Sequence, residues 1–239
     1  MAARQAGWLP DRLIQAKAEA EAGLEAPYRG IATSAGITPG LFPIVASGAS
    51  TQAITNAARS YLASLTESEK TVGTFDIASN AWREWSNIHP FLMRHGIRLE
   101  SLGETQRERA LELVATALSE AGYATATDIM RLNETLREIS GSDPEYGEWL
   151  YWLSIMGTPS PNEPWGFQLD GHHLIINCFV LGDQIVMTPM FMGAEPTLAP
   201  TGRYRGTRVF AEEEAQALRL AQALSDEQFS RARLDTPCP

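Results

Sequence analysis

Cysteine is almost missing from this chain. Only Cys178 and Cys238 occur in 239 residues, too few and too far apart for a disulfide framework or a cysteine zinc site. Basic residues are also scarce. Lys and Arg number 19 against 29 Asp and Glu, a formal net charge of −10, so nucleic-acid binding through a general positive field is excluded. No apolar run approaches the ~20 residues of a membrane span. The opening MAARQAGWLPDRLIQAKAEAEAG has no apolar signal-peptide core, which makes the cytoplasm the expected location. Several chemical motifs are absent too. There is no glycine-rich phosphate loop, no dinucleotide fingerprint and no H-E-x-x-H, and no G-x-S-x-G elbow. Nucleotide-dependent, ordinary serine-hydrolase and common zinc-protease chemistry are therefore disfavoured.

What is present is a globular composition, 44% hydrophobic and 20% charged. A chain of this length can bury roughly 70–75% of its unfolded surface without disulfide or metal. The expected layout is an N-terminal extension over 1–50 and a single α+β domain over 51–239. A weak helical period runs from Pro10 to about Ala26, and then a Gly-, Ser-, Thr- and Pro-rich loop. Ser50 or Thr51 can cap a helix with Ile54, Ala57, Ala58 and Leu62 on one face. Thr66 and Glu69 have capping-box spacing. Further helices are expected from Thr105 to a stop at Gly122, and from Thr125 to Ile139. Beyond Gly147 the period changes: WLYWLSIMG reads as a buried strand, and WGFQLDGHHLIINCFVLGDQIVMTPMFMG as two strands joined at Leu181–Gln184. A last helix spans Ala211 to Leu224, with Ala217, Leu220, Ala221 and Leu224 as its apolar face. The fold class is thus α+β: a helical N-terminal half packed on an antiparallel sheet, with a closing C-terminal helix.

The candidate site is Asp170-Gly171-His172-His173. In a regular strand the two imidazoles point to opposite faces, and a bulge at Gly171 would change that. With a two-residue turn at Gly182-Asp183, Val180 faces Ile185, Asn177 faces Thr188, His172 faces Gly193 and Asp170 faces Glu195. Asp170, His172 and Glu195 then share a face beside the open space at Gly193. Pro189 argues for an edge or bulge in that partner strand. One histidine with two carboxylates can hold a divalent ion and leave positions for water and substrate. The same groups can act without metal, a carboxylate orienting His172 as a general base. A strand histidine beside an acid also serves as a plain structural pair, and Glu195 as a solvated loop acid.

Catalytic candidates are therefore His172, His173, Asp170 and Glu195, with His172, Asp170 and His89 as metal ligands. His89, held extended before Pro90, is also a candidate for binding substrate. His95 reads as a surface residue. Trp85 and Trp165, like Trp149 and Trp152, are candidates for an apolar wall, with Met190 or Met192. Asn177 is a further substrate-binding candidate, and Arg94 and Arg203, with Arg205, are candidates for holding a carboxylate. Asn133-Glu134 on the second long helix can reach the same cleft.

Glu84-Trp-Ser-Asn87, Arg94-His-Gly96, Ile155-Met-Gly-Thr-Pro159, Pro164-Trp-Gly166, Asp170-Gly-His-His-Leu174 and Thr188-Pro-Met-Phe-Met-Gly193 together carry a resemblance. From about Thr51 to Ala232 the chain resembles a bacterial domain-of-unknown-function family, DUF3500. The resemblance implies a shared fold and brings no settled reaction. It implies that Asp170, both histidines, Trp165 and Gly193 belong to the family's characteristic element. The Ile-Met-Gly-Thr-Pro and Ile-Ile-Asn-Cys-Phe wording resembles a subgroup.

The leading expectation is a small-molecule enzyme, a metal-dependent hydrolase or lyase acting on a carbonyl-bearing substrate. Its ion is divalent: zinc, manganese or iron, with iron opening oxygen chemistry. A metal-independent His/Asp acid–base enzyme and a non-catalytic ligand or metal carrier are the alternatives. The expected partner is a small-molecule substrate, with neither nucleic acid nor membrane; a homo-oligomer stays open.

Overall fold

The computed structural model describes residues 11–27, 29–41, 43, 45–87, 92 and 94–233. The chain opens with helix α1 (Asp11–Leu24) and a small hairpin, β1 (Ala32–Thr33) with β2 (Gly36–Ile37). Helices α2 (Gln52–Ser64) and α3 (Glu67–Gly73) follow, then β3 (Thr74–Phe75), a 3-10 turn at Asn80–Arg83 and β4 (Ile97–Arg98). Next come α4 (Glu104–Ala117) and α5 (Glu120–Ile139). The sheet strands β5 (Tyr151–Gly157), β6 (Trp165–Gly171), β7 (Leu174–Leu181), β8 (Gln184–Val186) and β9 (Met190–Met192) lead to α6 (Ala211–Ala223) and α7 (Asp226–Ala232). The α+β class stands. No helix among the described residues is long and apolar enough to cross a membrane.

Local chemistry explains most boundaries. Thr66 caps α3 through the capping box with Glu69, satisfying two otherwise orphaned donors. Thr51 begins α2 without capping it; its hydroxyl donates instead to the Gly182 carbonyl at 2.6 Å. The expected helix stop at Gly122 is corrected. Helix α4 ends at Ala117, and Ser119 caps α5 by accepting from the Gly122 N–H. The Ser cap outweighs the glycine because an N-cap satisfies a backbone donor, and Gly122 sits in the first turn.

The sheet is a three-strand meander, β5-β6-β7, with short strands on both outer edges. Strands β3 and β4 share the outer edge of β5, and β8 and β9 share that of β7. All ladders of this sheet are antiparallel except β3 with β5, which is parallel. Alternation gives the meander two unlike faces. Tyr151, Leu153, Ile155, Trp165, Phe167, Leu169, Leu174, Ile176, Cys178 and Val180 are all buried in one cluster with Ile54, Ala58 and Tyr61 of α2, Leu113 of α4 and Ile129 of α5. The opposite face carries Trp152, Ser154, Gln168, Asp170 and Asn177, also buried. Trp82 and Arg94, from between β3 and β4, lie against this face at Gly166 and Asp170.

Two glycines are fixed by sterics. A Cβ on Gly171 would lie 2.1 Å from the Tyr151 ring, and one on Gly166 would meet the Trp82 ring at 2.6 Å. Helix α6 buries none of its residues, so Ala217, Leu220, Ala221 and Leu224 form no core face; Leu220 is 67% exposed.

Candidate functional site

The histidines do not sit inside a strand. Strands β6 and β7 pair from Trp165↔Val180 to Gly171↔Leu174, so His172-His173 is the two-residue turn of a tight hairpin. The continuous strand expected across them is corrected. His173 adopts φ 57°, a left-handed value unusual outside glycine and asparagine. The turn turns both imidazoles to the same side. They stack with centroids 4.0 Å apart and planes 29° apart.

The turn at Gly182-Asp183 forms as expected, with Val180 facing Ile185. Beyond Thr188 the register slips by one residue: Ile175 faces Phe191 and Leu174 faces Met192. The irregularity expected at Pro189 absorbs the extra residue, since proline has no N–H for the ladder. Gly193 therefore meets His173, donating its N–H to the His173 carbonyl at 2.8 Å. The expected pairings of His172 with Gly193 and Asp170 with Glu195 are both corrected.

This geometry separates the carboxylates. Glu195 reaches His173, its Oε2 3.4 Å from Nε2. Asp170 projects from the opposite face of β6 and is held by Arg94, whose guanidinium donates to Oδ2 at 2.7 Å. Arg94 also donates to the Leu92 and Ser86 carbonyls and lies over the Trp152 ring. Burial pushes the Asp170 carboxyl up to about 7, while the Arg94 charge and the Ser86 backbone pull it down. Both side chains are at most 5% exposed. The expected roles of Asp170 as a ligand beside His172 and of Arg94 as a carboxylate holder do not fit this placement, because each already neutralises the other.

His172, His173 and Glu195 each bring one ligand atom within 4.8 Å of the others. His172 is 5% exposed, and its side of the cluster is built by α5. Asn133 Nδ2 donates to the Gly147 carbonyl at 2.8 Å, which turns Oδ1 toward His172 Nδ1 at 3.0 Å. Since Oδ1 can only accept, Nδ1 carries a proton, and in the neutral form of the ring the lone pair is on Nε2. Such an outer partner is how metal-binding imidazoles are commonly oriented. The Tyr151 hydroxyl donates to the His172 carbonyl at 3.2 Å and fixes the backbone of the turn. Tyr146 packs its ring 5.4 Å from that of His172. Burial, then the charges of Glu145, Asp143 and Glu195, push its phenol up, so it stays protonated at the rim. No motif marks Tyr146; only the turn-rich segment that holds it is visible in the sequence. Asn133, expected to reach the cleft, does so. Its neighbour Glu134 instead accepts from the Glu148 N–H.

The remaining candidates lie elsewhere. Trp165 is 0% exposed in the helical-side core. Trp85 and Asn177 line a cleft of about 880 Å³ on the other face of the sheet, which neither histidine lines. Asn177 sits three residues beyond Leu174 in β7, roughly 10 Å along the strand. Arg203 lies against Glu148 and the Tyr204 ring, with 65% of its side chain exposed; Arg205 is exposed. His95 is half-buried, edge-on to Phe75 at 5.1 Å, and not the surface residue expected. His89 and Cys238 lie outside the described residues. Cys178 is buried, its thiol pushed up to about 12 by desolvation, which leaves it inert.

No curated protein and no solved structure matches this chain. A family model described as "Protein of unknown function (DUF3500)" matches residues 47–239, and by that match, spanning the Asp-Gly-His-His element and both its strands, the chain belongs to the DUF3500 family.

Proposed function

We propose that the β6–β7 turn is a divalent-metal site and that the protein is a metal-dependent hydrolase or lyase acting on a carbonyl-bearing small molecule. The observation that carries this reading is the convergence of His172, His173 and Glu195 ligand atoms within 4.8 Å, with the His172 tautomer set by Asn133. Two imidazoles and one carboxylate leave coordination positions for water and substrate and suit zinc, manganese or iron. A bound zinc would lower the pKa of its water to about 7 and polarise a carbonyl. In the hydrolytic form the water oxygen adds to the carbonyl carbon, the bond to the leaving oxygen or nitrogen breaks, and that atom takes up the water's proton. Tyr146, whose ring lies 5.4 Å from that of His172, is the residue we assign to hydrogen-bond an oxygen of the bound molecule. A cytoplasmic location belongs to this reading, supported by the sparse cysteines.

A second reading is favoured by one observation. The cleft of about 880 Å³ takes none of the three ligands into its walls, which suits a carrier that holds the ion without chemistry. Metal analysis of the purified protein, followed by turnover of esters, lactones and amides, decides. About one ion per chain with turnover that His172→Ala abolishes supports the enzyme. Bound metal with flat traces supports the carrier. No ion, with the fold intact, rejects both.

A further inference from the structure

The aromatic cleft on the sheet face opposite the helices is not used by the metal site. We infer that it is a separate binding site for a neutral, planar aromatic molecule. Its floor is built and rigid. Trp82 brings the edge of its indole against the sheet at Gly166, where there is no side chain; a Cβ there would come within 2.6 Å of the ring. The Trp82 N–H is tied to the Ile77 carbonyl at 3.0 Å, and Phe179 stands tilted beside it, centroids 6.4 Å apart. Trp85 and Pro189 extend the apolar wall. Rings held at fixed angles are the usual means of gripping another ring.

The outer wall, Leu24–Pro27, comes from the N-terminal segment. Arg83 fastens it, donating to the carbonyls of Gly23, Leu24 and Ala26 at 2.7–3.1 Å. Gly23 and Leu24 end α1, where a cation is favoured, and Ala26 lies just beyond it, so the one guanidinium that lines the cleft among the described residues is already engaged. Among the described residues a phosphate or carboxylate guest would find no spare cation there, and the wall instead carries Glu25. The volume of about 880 Å³ is in the range that encloses small organic ligands. Beneath the floor, Gln168 Nε2 donates to Asn177 Oδ1 and the Trp82 carbonyl, while its Oε1, fully buried, has no hydrogen-bond partner among the described residues.

The test uses the full chain and N-phenyl-1-naphthylamine, a neutral aromatic fluorophore with one N–H. Saturable binding of one probe per chain is expected. Trp85→Ala, which removes a wall, and Ala78→Trp, which fills the space, should each weaken it at least about tenfold, with circular dichroism unchanged. His172→Ala should leave it intact, which separates this site from the metal proposal. Absence of saturable binding overturns the inference. So does binding that both cleft variants leave unchanged, or binding that Leu220→Ser removes, since the probe then rests on the exposed face of α6.

Discussion

At the end of β6, Asp170 meets Arg94 at 2.7 Å with both side chains almost fully covered; beyond the turn, Glu195 meets His173 at 3.4 Å with its carboxylate 68% exposed. Both are acid–base pairs, and Asp170 and His173 lie three residues apart on the same hairpin. The buried pair is closed to solvent: Asp170 Oδ2 takes one guanidinium donor, and the Ser86 and Leu92 carbonyls take others. It ties the irregular covering segment to the sheet. The turn pair is open, loosely spaced and joined by a second imidazole whose tautomer is fixed from behind. The difference separates a polar contact that organises the fold from one placed to receive something from solvent. Proximity in sequence did not distinguish them; the face of the strand did.

The sharpest way to break the comparison is to remove one member of the buried pair. Arg94→Ala should destabilise the protein by about 3–5 kcal/mol, because it strands a charge in the interior; urea unfolding measures it. Pairing it with Asp170→Ala should recover part of that loss. A cost below about 1 kcal/mol would place the pair with ordinary surface bridges.

Asn133→Ala comes next. Loss of the group that orients His172 should weaken zinc binding about 10–100-fold, read by competition titration. Unchanged affinity would reduce Asn133 to a packing residue. Gly171→Ala should cost about 1–3 kcal/mol through overpacking, since the Tyr151 ring occupies the space; calorimetry reports the shift. The smallest stability effect is expected at His173→Gly. Relief of the left-handed backbone, worth roughly 1 kcal/mol or more for a non-glycine residue, offsets the added chain entropy, so stability should hold within about 1 kcal/mol while zinc binding is lost. A larger destabilisation would show that the ring serves the fold.

Much of this architecture was legible in the residues. The Thr66–Glu69 box, the Ile129-Leu132-Leu136 spacing of α5 and the unbroken apolar run of β5 each follow from local chemistry that tertiary packing did not override. The β6–β7 turn was not legible, because histidine is not a turn-former and apolar residues flank it closely on the β7 side. The available signal was subtler: two apolar segments of matched length, Trp165–Leu169 and Leu174–Cys178, interrupted by a polar, glycine-containing stretch. That missed turn also misplaced Asp170, since a strand continued through the histidines puts the acid on the side of His172. The register beyond Thr188 was lost at Pro189, whose irregularity was foreseen without its one-residue length. Asn133 was visible as a helix residue able to reach the site, but its task depends on the Gly147 carbonyl, a contact no spacing rule specifies. Tyr146 comes from a loop, where sequence carries little positional information.

The most direct test of the metal-site proposal is a crystal of the full chain soaked in zinc and measured at the zinc absorption edge. The account predicts one anomalous peak at the β6–β7 turn, within ~2.0–2.2 Å of His172 Nε2, a His173 ring nitrogen and a Glu195 carboxylate oxygen. No peak there, with the imidazoles still stacked and Glu195 turned to solvent, would contradict it.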